Sequence, residues 1–380
     1  MSAPRVLFYV QHLLGIGHLA RASRVASALV EDGFELTLVT GGAPVTGFPA
    51  TTIRQVALPP VMASDNGFGG LAVLKGEPID DAFRHRRREM LLRIFEDTKP
   101  DAVIIEAFPF GRRQMRFELL PLLEAIASAS PRPLAVTSVR DLLQERVKPG
   151  RNEETLVLVQ RYFDLVLVHG DPAFARLEDT FPLASQIHGK VAYSGLVSGP
   201  APAPSSDRFD VLISAGGGAA GRDLVRAAVG AARMAPDGQR WGLIAGPNLP
   251  ASDFEAAAAE APAPLSLFRF REDFGGLLAN AELSVSQAGY NTVCDLLRAG
   301  CRALLVPFAA GGETEQTARA ERLERMGLAS VIAEEALNPS ALHAAVEKAL
   351  AGPKPPGNTL DLDGAKGSAR VLRRHLEIRP

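Results

Sequence analysis

The feature that most constrains the fold is the alternation of short, continuous apolar runs with segments of helical periodicity. In the first half of the chain the apolar runs are rich in branched residues and occupy 5–10, 34–40, 101–108, 133–139 and 163–170. Runs of this kind are typical of strands that are covered on both faces. Amphipathic helical segments separate them, which gives a β–α–β rhythm. The sequence therefore predicts a parallel sheet flanked by helices.

The same rhythm restarts after a segment rich in Pro, Ala and Ser at 199–207. Since 380 residues exceed what one hydrophobic core usually serves, two domains are expected. We predict an α/β chain of two tandem Rossmann-like, doubly wound domains, 1–199 and 200–380, facing each other across a cleft. A last basic helix at 365–377 could pack back on the first domain. Ligands of such sheets lie beyond the carboxyl ends of the strands.

The composition of the chain argues against several classes of protein. A net charge of −2 gives no general attraction for nucleic acid or anionic lipid, so no nucleic-acid partner is expected. The only cysteines, Cys294 and Cys301, are too few for a disulfide framework and fit a reducing cytoplasm. No apolar run approaches the roughly 20 residues that span a bilayer. We therefore expect a cytoplasmic protein without a transmembrane segment, peripheral at the membrane at most.

Each predicted domain opens with a strand and a glycine turn. The first turn carries Gly15, Gly17 and His18, and the second runs over Gly216, Gly217 and Gly218. Both match the glycine spacing of a dinucleotide fingerprint, but neither following strand ends in the acid that binds the ribose. This disfavours a nicotinamide cofactor. Glycines before a helix still allow the backbone to approach an anion, and tight strand-to-helix packing is the alternative explanation.

A third turn of this type follows the apolar run at 282–286. Gln287, Gly289, Asn291 and Thr292 come together at a predicted helix start, where free N–H groups suit a diphosphate. Asp295 lies one helical turn further on and is suited to accept hydrogen bonds from neighbouring sugar hydroxyls. Ordinary helix capping would explain the same residues.

A fourth polar cluster follows the apolar run at 302–308. Glu315 and Gln316 fall in the first turn of another predicted helix. A carboxylate beside a carboxamide can both accept from and donate to the hydroxyls of a hexose. The alternative is that Thr314 caps the helix and Glu315 interacts with its dipole.

From Gln287 to Phe308, and on through Gly312, Glu315 and Gln316, the chain resembles the donor half of GT-B nucleotide-sugar glycosyltransferases. It is most similar to the branch that contains the peptidoglycan N-acetylglucosaminyltransferase and the glucuronosyltransferase-like enzymes. The resemblance is specific over 265–332, and the loop around Gly15 and Gly17 resembles the glycine loop of the family's acceptor half.

The resemblance implies a role for each matching residue. The residues implied at the donor diphosphate are Gly216, Gly217, Gly218, Gln287, Gly289, Asn291 and Thr292. Asp295 would hold the ribose, where relatives often carry glutamate, and Glu315 and Gln316 would contact the donor sugar. Phe270 and Arg271 fall where the family reads the base. His18 matches a histidine placed near the acceptor.

Sugar transfer requires a base for the acceptor hydroxyl, and neutral histidine has a suitable pKa. We predict His18 as that base, oriented by Glu106 or by Asp141; a loop-shaping role is the alternative. Arg112 and Arg113 follow the strand at 101–108 and could grip an anionic or lipid-linked acceptor. A solvated basic helix face would explain them equally well.

The sequence thus predicts a hexosyltransferase that uses a nucleotide sugar, UDP-linked, as substrate and has no cofactor. The acceptor would be lipid-linked or a small molecule, and the resembled branch is inverting. Helix amino ends can hold the departing diphosphate, so no metal is expected. The alternatives are a nucleotide-sugar epimerase of the same fold and a non-catalytic nucleotide-sugar-binding subunit.

Overall fold

The computed structural model describes residues 3–13, 15–45, 48, 52–64, 70–145, 148–203, 205–216 and 221–378. Contacts divide the chain into two compact units, which are Met1–Val197 together with Asp363–Pro380, and Ser198–Leu362. Each unit has its own hydrophobic core, so each is described by itself.

A parallel sheet of seven strands forms the centre of the first unit. In sheet order its strands are β3 (Arg54–Ala57), β2 (Glu35–Thr40), β1 (Arg5–Val10), β6 (Ala102–Glu106), β7 (Leu134–Arg140), β8 (Leu165–His169) and β9 (Val191–Tyr193). An antiparallel pair, β4 (Met62–Ala63) and β5 (Leu71–Ala72), is inserted between β3 and β6. The five predicted apolar runs correspond to β1, β2, β6, β7 and β8, because strands covered on both faces need no polar alternation.

The second unit is built around a parallel sheet of six strands. In sheet order they are β12 (Leu265–Phe268), β11 (Trp241–Ile244), β10 (Val211–Ser214), β13 (Leu283–Ser286), β14 (Arg302–Leu305) and β15 (Ser330–Val331). Counted within the unit this is the order 3-2-1-4-5-6 of doubly wound dinucleotide-binding sheets. The prediction of an α/β chain with two doubly wound sheets is confirmed.

Helices connect the strands in both units. They are α1 (Gly17–Glu31), α2 (Asp81–Thr98), α3 (Arg116–Ser128), α4 (Arg151–Tyr162), α5 (Arg222–Ala232), α6 (Ala251–Glu260), α7 (Phe274–Asn280), α8 (Tyr290–Ala299), α9 (Glu315–Arg325), α10 (Pro339–Ala351) and α11 (Gly364–Glu377). Short 3-10 turns occupy Arg113–Met115, Leu177–Asp179, Ala184–Lys190, Ala310–Gly312 and Glu334–Ala336. No helix in the described ranges is long and apolar enough to cross a membrane.

The last helix, α11, belongs to the first unit, although it follows the second unit in sequence. It packs along α1, and Arg373 Nε donates to Asp32 Oδ2 at 2.8 Å. Two glycines allow its first turn to approach the chain after β9. A Cβ on Gly364 would lie 2.1 Å from Gly195 O, and one on Gly367 would lie 1.9 Å from Ser194 O.

The segment predicted as a linker is fastened to the second unit. Ser205 Oγ donates to Asp273 Oδ2 at 2.5 Å, and Arg271 bridges Asp207 and Asp273. Gly276 of α7 makes this docking possible, because a Cβ there would lie 2.3 Å from the carbonyl of Ala203. The composition of this segment gave no sign of these polar contacts.

Each sheet has a switch point, where the chain stops adding strands on one side and starts on the other. It lies between β1 and β6 in the first unit and between β10 and β13 in the second. Ligands of open parallel sheets bind at the carboxyl ends of the strands beside the switch point. Several of the predicted site residues end or follow these four strands. Others follow β7, β12 and β14, namely Asp141, Phe270, Arg271, Glu315 and Gln316.

Candidate active site

In the first unit the switch point brings His18 to Glu106. His18 is the second residue of α1, and Glu106 is the last residue of β6. The imidazole Nδ1 lies 2.8 Å from Glu106 Oε1 and 2.9 Å from Oε2. Of the two acids predicted as partners, the structure thus places Glu106 beside His18. Asp141 is buried just after β7, where its Oδ1 accepts from the N–H of Leu142.

The protonation of His18 follows from this contact. A carboxylate can only accept, so Nδ1–H donates to Glu106 and Nε2 carries the lone pair. Burial, and next the charge of Arg112, lower the pKa of His18 to about 3, although Glu106 acts in the opposite direction. The imidazole is therefore neutral at neutral pH, as a general base must be before it accepts a proton.

Glu106 is held as a carboxylate by a second partner, Arg21. Both side chains are buried and form an ion pair. Burial alone would raise the pKa of Glu106, but interaction with His18 and the charge of Arg21 lower it to about 2. Arg21 was missed in the sequence. A signal exists, because residues three apart share a helix face and Arg21 is three residues after His18.

The arginines that follow β6 are separated by the fold. Arg112 adopts a left-handed backbone conformation, with φ 56°, and its Nε donates to Gln11 O at 2.7 Å. Arg113 and Arg116 both pair instead with Glu154 of α4. Arg112 is thus the arginine of this group that acts on His18 electrostatically, while an acceptor-binding role for Arg113 stays a prediction.

A buried polar network fixes the exit of β1 behind this site. Arg87 donates to Gln11 Oε1 and Glu118 Oε2, both at 2.6 Å, and to Gly41 O at 3.0 Å. Tyr9 completes the network by donating its hydroxyl to Glu118 Oε1 at 2.5 Å. Because every partner is buried, the loop that leads to Gly15 and α1 starts from a rigid base.

A buried histidine, His169, lies at the end of β8. Its Nε2 is 2.8 Å from Ser138 Oγ, and its Nδ1 is 3.0 Å from Ser194 Oγ. Burial, followed by the charge of Arg21, lowers its pKa to about 3. The sheet register pairs Glu106 with Ser138, so His169 belongs to the layer that supports the His18 site.

In the second unit the switch point brings Gly216 to Gln287. Gly216 has φ +80°, and a Cβ there would lie 3.0 Å from Gln287 Oε1. The positive φ favours glycine at this position. Gly217 and Gly218 lie outside the described residues, so their predicted contact with the donor phosphates stays a prediction.

The start of α8 follows β13 directly. Gly289 is its N-cap and provides no side-chain cap, and a Cβ built there would meet no heavy atom within 4 Å. Asn291 and Thr292 are half-buried in the first turn, and Asp295 is half-buried one turn later. The open space beside the Gly289 Cα leaves room for a ligand at the amino end of this helix, where an anion site would lie.

Glu315 and Gln316 open α9, as predicted. Glu315 is only 3% exposed and forms an ion pair with Arg319 at 2.7 Å. Gln316 Oε1 accepts from the N–H of Phe308 at 3.3 Å. Contact of this pair with the donor sugar stays a prediction, and Arg319 is a residue that was missed in the sequence.

Phe270 and Arg271 follow β12 and have different surroundings. Phe270 is 59% exposed, which is unusual for a large apolar side chain. Arg271 donates to Asp207 and, through two nitrogens, to Asp273. These side-chain hydrogen bonds raise the pKa of Arg271 and lower that of Asp273 to about 2. Arg271 thus ties down the backbone beside Phe270, whose ring remains accessible.

Comparison with known proteins agrees with this geometry. Residues 212–361 match the family model of the glycosyltransferase family 28 C-terminal domain. Two curated relatives are UDP-N-acetylglucosamine--N-acetylmuramyl-(pentapeptide) pyrophosphoryl-undecaprenol N-acetylglucosamine transferases. The one from Nitrosococcus oceani is 38% identical over 95 residues, which cover 25% of each chain. The one from Brucella anthropi is 29% identical over 158 residues, covering 40% of this chain and 41% of the relative. The matched region thus spans less than half of either relative.

Solved structures resemble the chain over nearly its whole length. The calicheamicin glycosyltransferase CalG4 has a TM-score of 0.60 at 18% identity and covers 99% of this chain and 95% of its own. MurG of Acinetobacter baumannii has a TM-score of 0.57 at 17% identity, with 99% of both chains covered. At these identities the likeness shows the fold. The chain therefore has the GT-B fold, and its residues 212–361 match the glycosyltransferase family 28 C-terminal domain.

Proposed function

We propose that the protein transfers a hexose-type sugar from a nucleotide-sugar donor to an acceptor hydroxyl. The observation that carries this proposal is the His18–Glu106 pair at a switch point, with Nδ1 2.8 Å from the carboxylate and a neutral imidazole. The family 28 match of residues 212–361 supports it from the donor side.

The donor would be bound by the second unit, largely through its main chain. The N–H groups at Gly289 and in the first turn of α8 would receive the diphosphate, together with the turn at 216–218. Asp295 would accept from the ribose hydroxyls, and the exposed ring of Phe270 would lie against the base. A UDP-linked donor is proposed because the names of the curated relatives specify UDP-N-acetylglucosamine.

The transfer step assigns one proton and one bond change to named atoms. His18 Nε2 accepts the proton of the acceptor hydroxyl while that oxygen attacks the anomeric carbon. The bond from this carbon to the diphosphate oxygen breaks, and the diphosphate leaves with its negative charge. The carboxylate of Glu106 stabilises the imidazolium that forms. A single displacement of this kind inverts the anomeric configuration, so inversion is part of the proposal.

The leaving diphosphate acquires charge, which needs positive potential in place beforehand. The amino end of α8 carries a partial positive charge from the helix dipole, which is suited to that task. We therefore propose metal-independent transfer. Activity that persists undiminished in excess EDTA is the expected result, and complete loss that is restored by Mg²⁺ would contradict it.

The acceptor would be bound on the first unit, at Gly15, Gly17 and Arg112. The names of the curated relatives include a pyrophosphoryl-undecaprenol acceptor, and a lipid-linked acceptor would bring the protein to the membrane surface. CalG4 is a calicheamicin glycosyltransferase, which makes a small-molecule acceptor the second candidate. Arg112 suits an anionic group in either case.

Calorimetry with UDP-, dTDP- and GDP-sugars, followed by transfer assays on the sugars that bind, tests the function. We expect a UDP-sugar to bind and to be consumed only when an acceptor is present. Donor turnover without any acceptor would favour the epimerase. Tight binding with no transfer to any lipid-linked or small-molecule hydroxyl would favour a binding subunit.

A further inference from the structure

Arg319 of α9 contacts the chain on both sides of the candidate diphosphate turn. Its side chain is fully buried, its NH1 donates to Ala288 O at 2.9 Å, and its NH2 donates to Glu315 Oε1 at 2.7 Å. The guanidinium also lies over the Tyr290 ring, 5.8 Å from the centroid. These contacts lie on the interior side of Gly289, which is the N-cap of α8.

The hydrogen bond to Ala288 fixes the direction of a peptide plane. The C=O and N–H of a trans peptide point in opposite directions, and the peptide between Ala288 and Gly289 is trans. Because its C=O points at Arg319 in the interior, the N–H of Gly289 points away from the interior. That N–H makes no hydrogen bond within the part of the chain that the structure describes. The space around Gly289 is open, with no heavy atom within 4 Å of a Cβ built there.

We propose that Arg319 is a positioning residue that orients the Gly289 N–H toward the donor diphosphate. The proposal rests on the donor site of the proposed function and adds to it a residue outside the predicted site. Glu315 neutralises the buried guanidinium and fixes its plane. A guanidinium can donate to the carbonyl and the carboxylate at once through its rigid fork, whereas a lysine ammonium is a single point of donation.

The test compares UDP with uridine, which lacks the diphosphate. UDP lacks the transferred hexose, so any contact of Glu315 with that sugar does not enter the measurement. In Arg319→Met we expect the UDP affinity to fall about tenfold by calorimetry, because the peptide is no longer held, while uridine affinity changes less than twofold. The control is Arg325→Met, an exposed arginine of the same helix, which should leave both affinities unchanged.

A loss of UDP and uridine binding in equal proportion would mean general disruption of the unit and would overturn the positioning role. Arg319→Met leaves Glu315 buried without its cation, so the variant could fail to fold. Arg319→Lys keeps the charge and provides the second test. We expect it to fold, with UDP affinity lowered about threefold and uridine affinity unchanged, since one ammonium serves the two oxygens less well.

The outcomes separate this inference from the function on which it rests. If the wild-type protein binds UDP and the folded Lys variant keeps the wild-type ratio of UDP to uridine affinity, only the role of Arg319 is wrong. If the wild-type protein binds none of UDP, dTDP and GDP, the donor site and the role of Arg319 both fail.

Discussion

The two switch points of this chain carry different kinds of chemical groups. In the first unit the switch point presents titratable side chains, with His18 and Glu106 in contact and Arg112 acting on both. In the second unit the strand ends are followed by Gly216 and by the start of α8, and the buried ion pair of Glu315 with Arg319 lies on the interior side of that helix start. A site of the first kind can move protons, whereas one of the second kind can hold an anion without exchanging protons with it.

This difference predicts different sensitivities. The first site should respond to the loss of one titratable group and to the charges around it, because its pKa values are set by burial and by neighbouring ions. The second site should respond to a single methyl group that enters the space beside the backbone. Its function should depend little on pH, since backbone N–H groups do not titrate.

The largest effect is expected for His18→Ala. Removal of a general base typically lowers kcat by about 10²- to 10⁴-fold, and donor binding should be unchanged because the donor residues lie in the other unit. Steady-state transfer assays and calorimetry with the donor measure the two quantities. His188→Ala, which removes an exposed histidine of the same unit, should leave both unchanged. Normal turnover in His18→Ala would remove the base role from the proposed mechanism.

Two glycines of the second unit, Gly289 and Gly216, test the contrast between the two sites. Gly289→Ala places a methyl group in open space at an ordinary φ of −65°, so the free energy of unfolding should change little. The methyl would reduce the room for the diphosphate, and we expect about a tenfold rise in donor KM. Gly216→Ala should instead destabilise the protein by about 1–2 kcal/mol, because φ is +80° there. Equal stability losses in the two variants would contradict this distinction.

The third prediction concerns the pH profile. Arg112 lowers the pKa of His18, and Glu106 raises it, so Arg112→Gln should let that pKa rise. The acid limb of kcat/KM should then move to higher pH, by about one unit. Arg54→Gln, on the exposed edge strand β3, is the matched control and should keep the wild-type profile. An unshifted limb in Arg112→Gln would mean that the charge of Arg112 does not act on the catalytic proton transfer.

The same contrast explains what the sequence could predict. The candidate donor turn consists of glycines and polar residues at fixed spacing within 287–295. Because this pattern is local, the sequence alone could predict it. The first site joins His18 of α1 to Glu106 of β6, which are 88 residues apart, and only the sheet order brings them together. Both acids at strand ends were therefore candidates from sequence. Glu154 lies 41 residues beyond Arg113 on another helix, so the sequence did not predict the ion pair between them either.

Buried charges were hardest to predict from sequence, because their partners decide their role. Arg319 sits four residues after Glu315, a spacing that permits an ion pair on one helix face. The spacing does not predict the hydrogen bond from Arg319 to the carbonyl of Ala288, because Ala288 lies in another loop. In the same way, the apolar run at 163–170 predicted a strand but gave no sign that His169 would be buried between serines.

The smallest effect is expected for the acid stability of the first unit, and it tests whether His169 is neutral there. The folded pKa of about 3 lies below the ordinary value of 6.5, so between these values the unfolded chain binds one more proton at this residue. Its contribution to stability is therefore complete above pH 6.5 and is lost as the pH falls toward 3. The free energy of unfolding should therefore change by about 1.4 kcal/mol per pH unit in this range.

Urea unfolding between pH 7 and pH 4.5 measures this slope. We expect it to be shallower by about this amount in His169→Asn than in wild type or in His188→Asn. The loss of the serine hydrogen bonds lowers stability by a constant amount and leaves the slope unaffected. An unchanged slope in His169→Asn would show that His169 takes up its proton in the folded state, and the buried layer beneath Glu106 would then carry a charge.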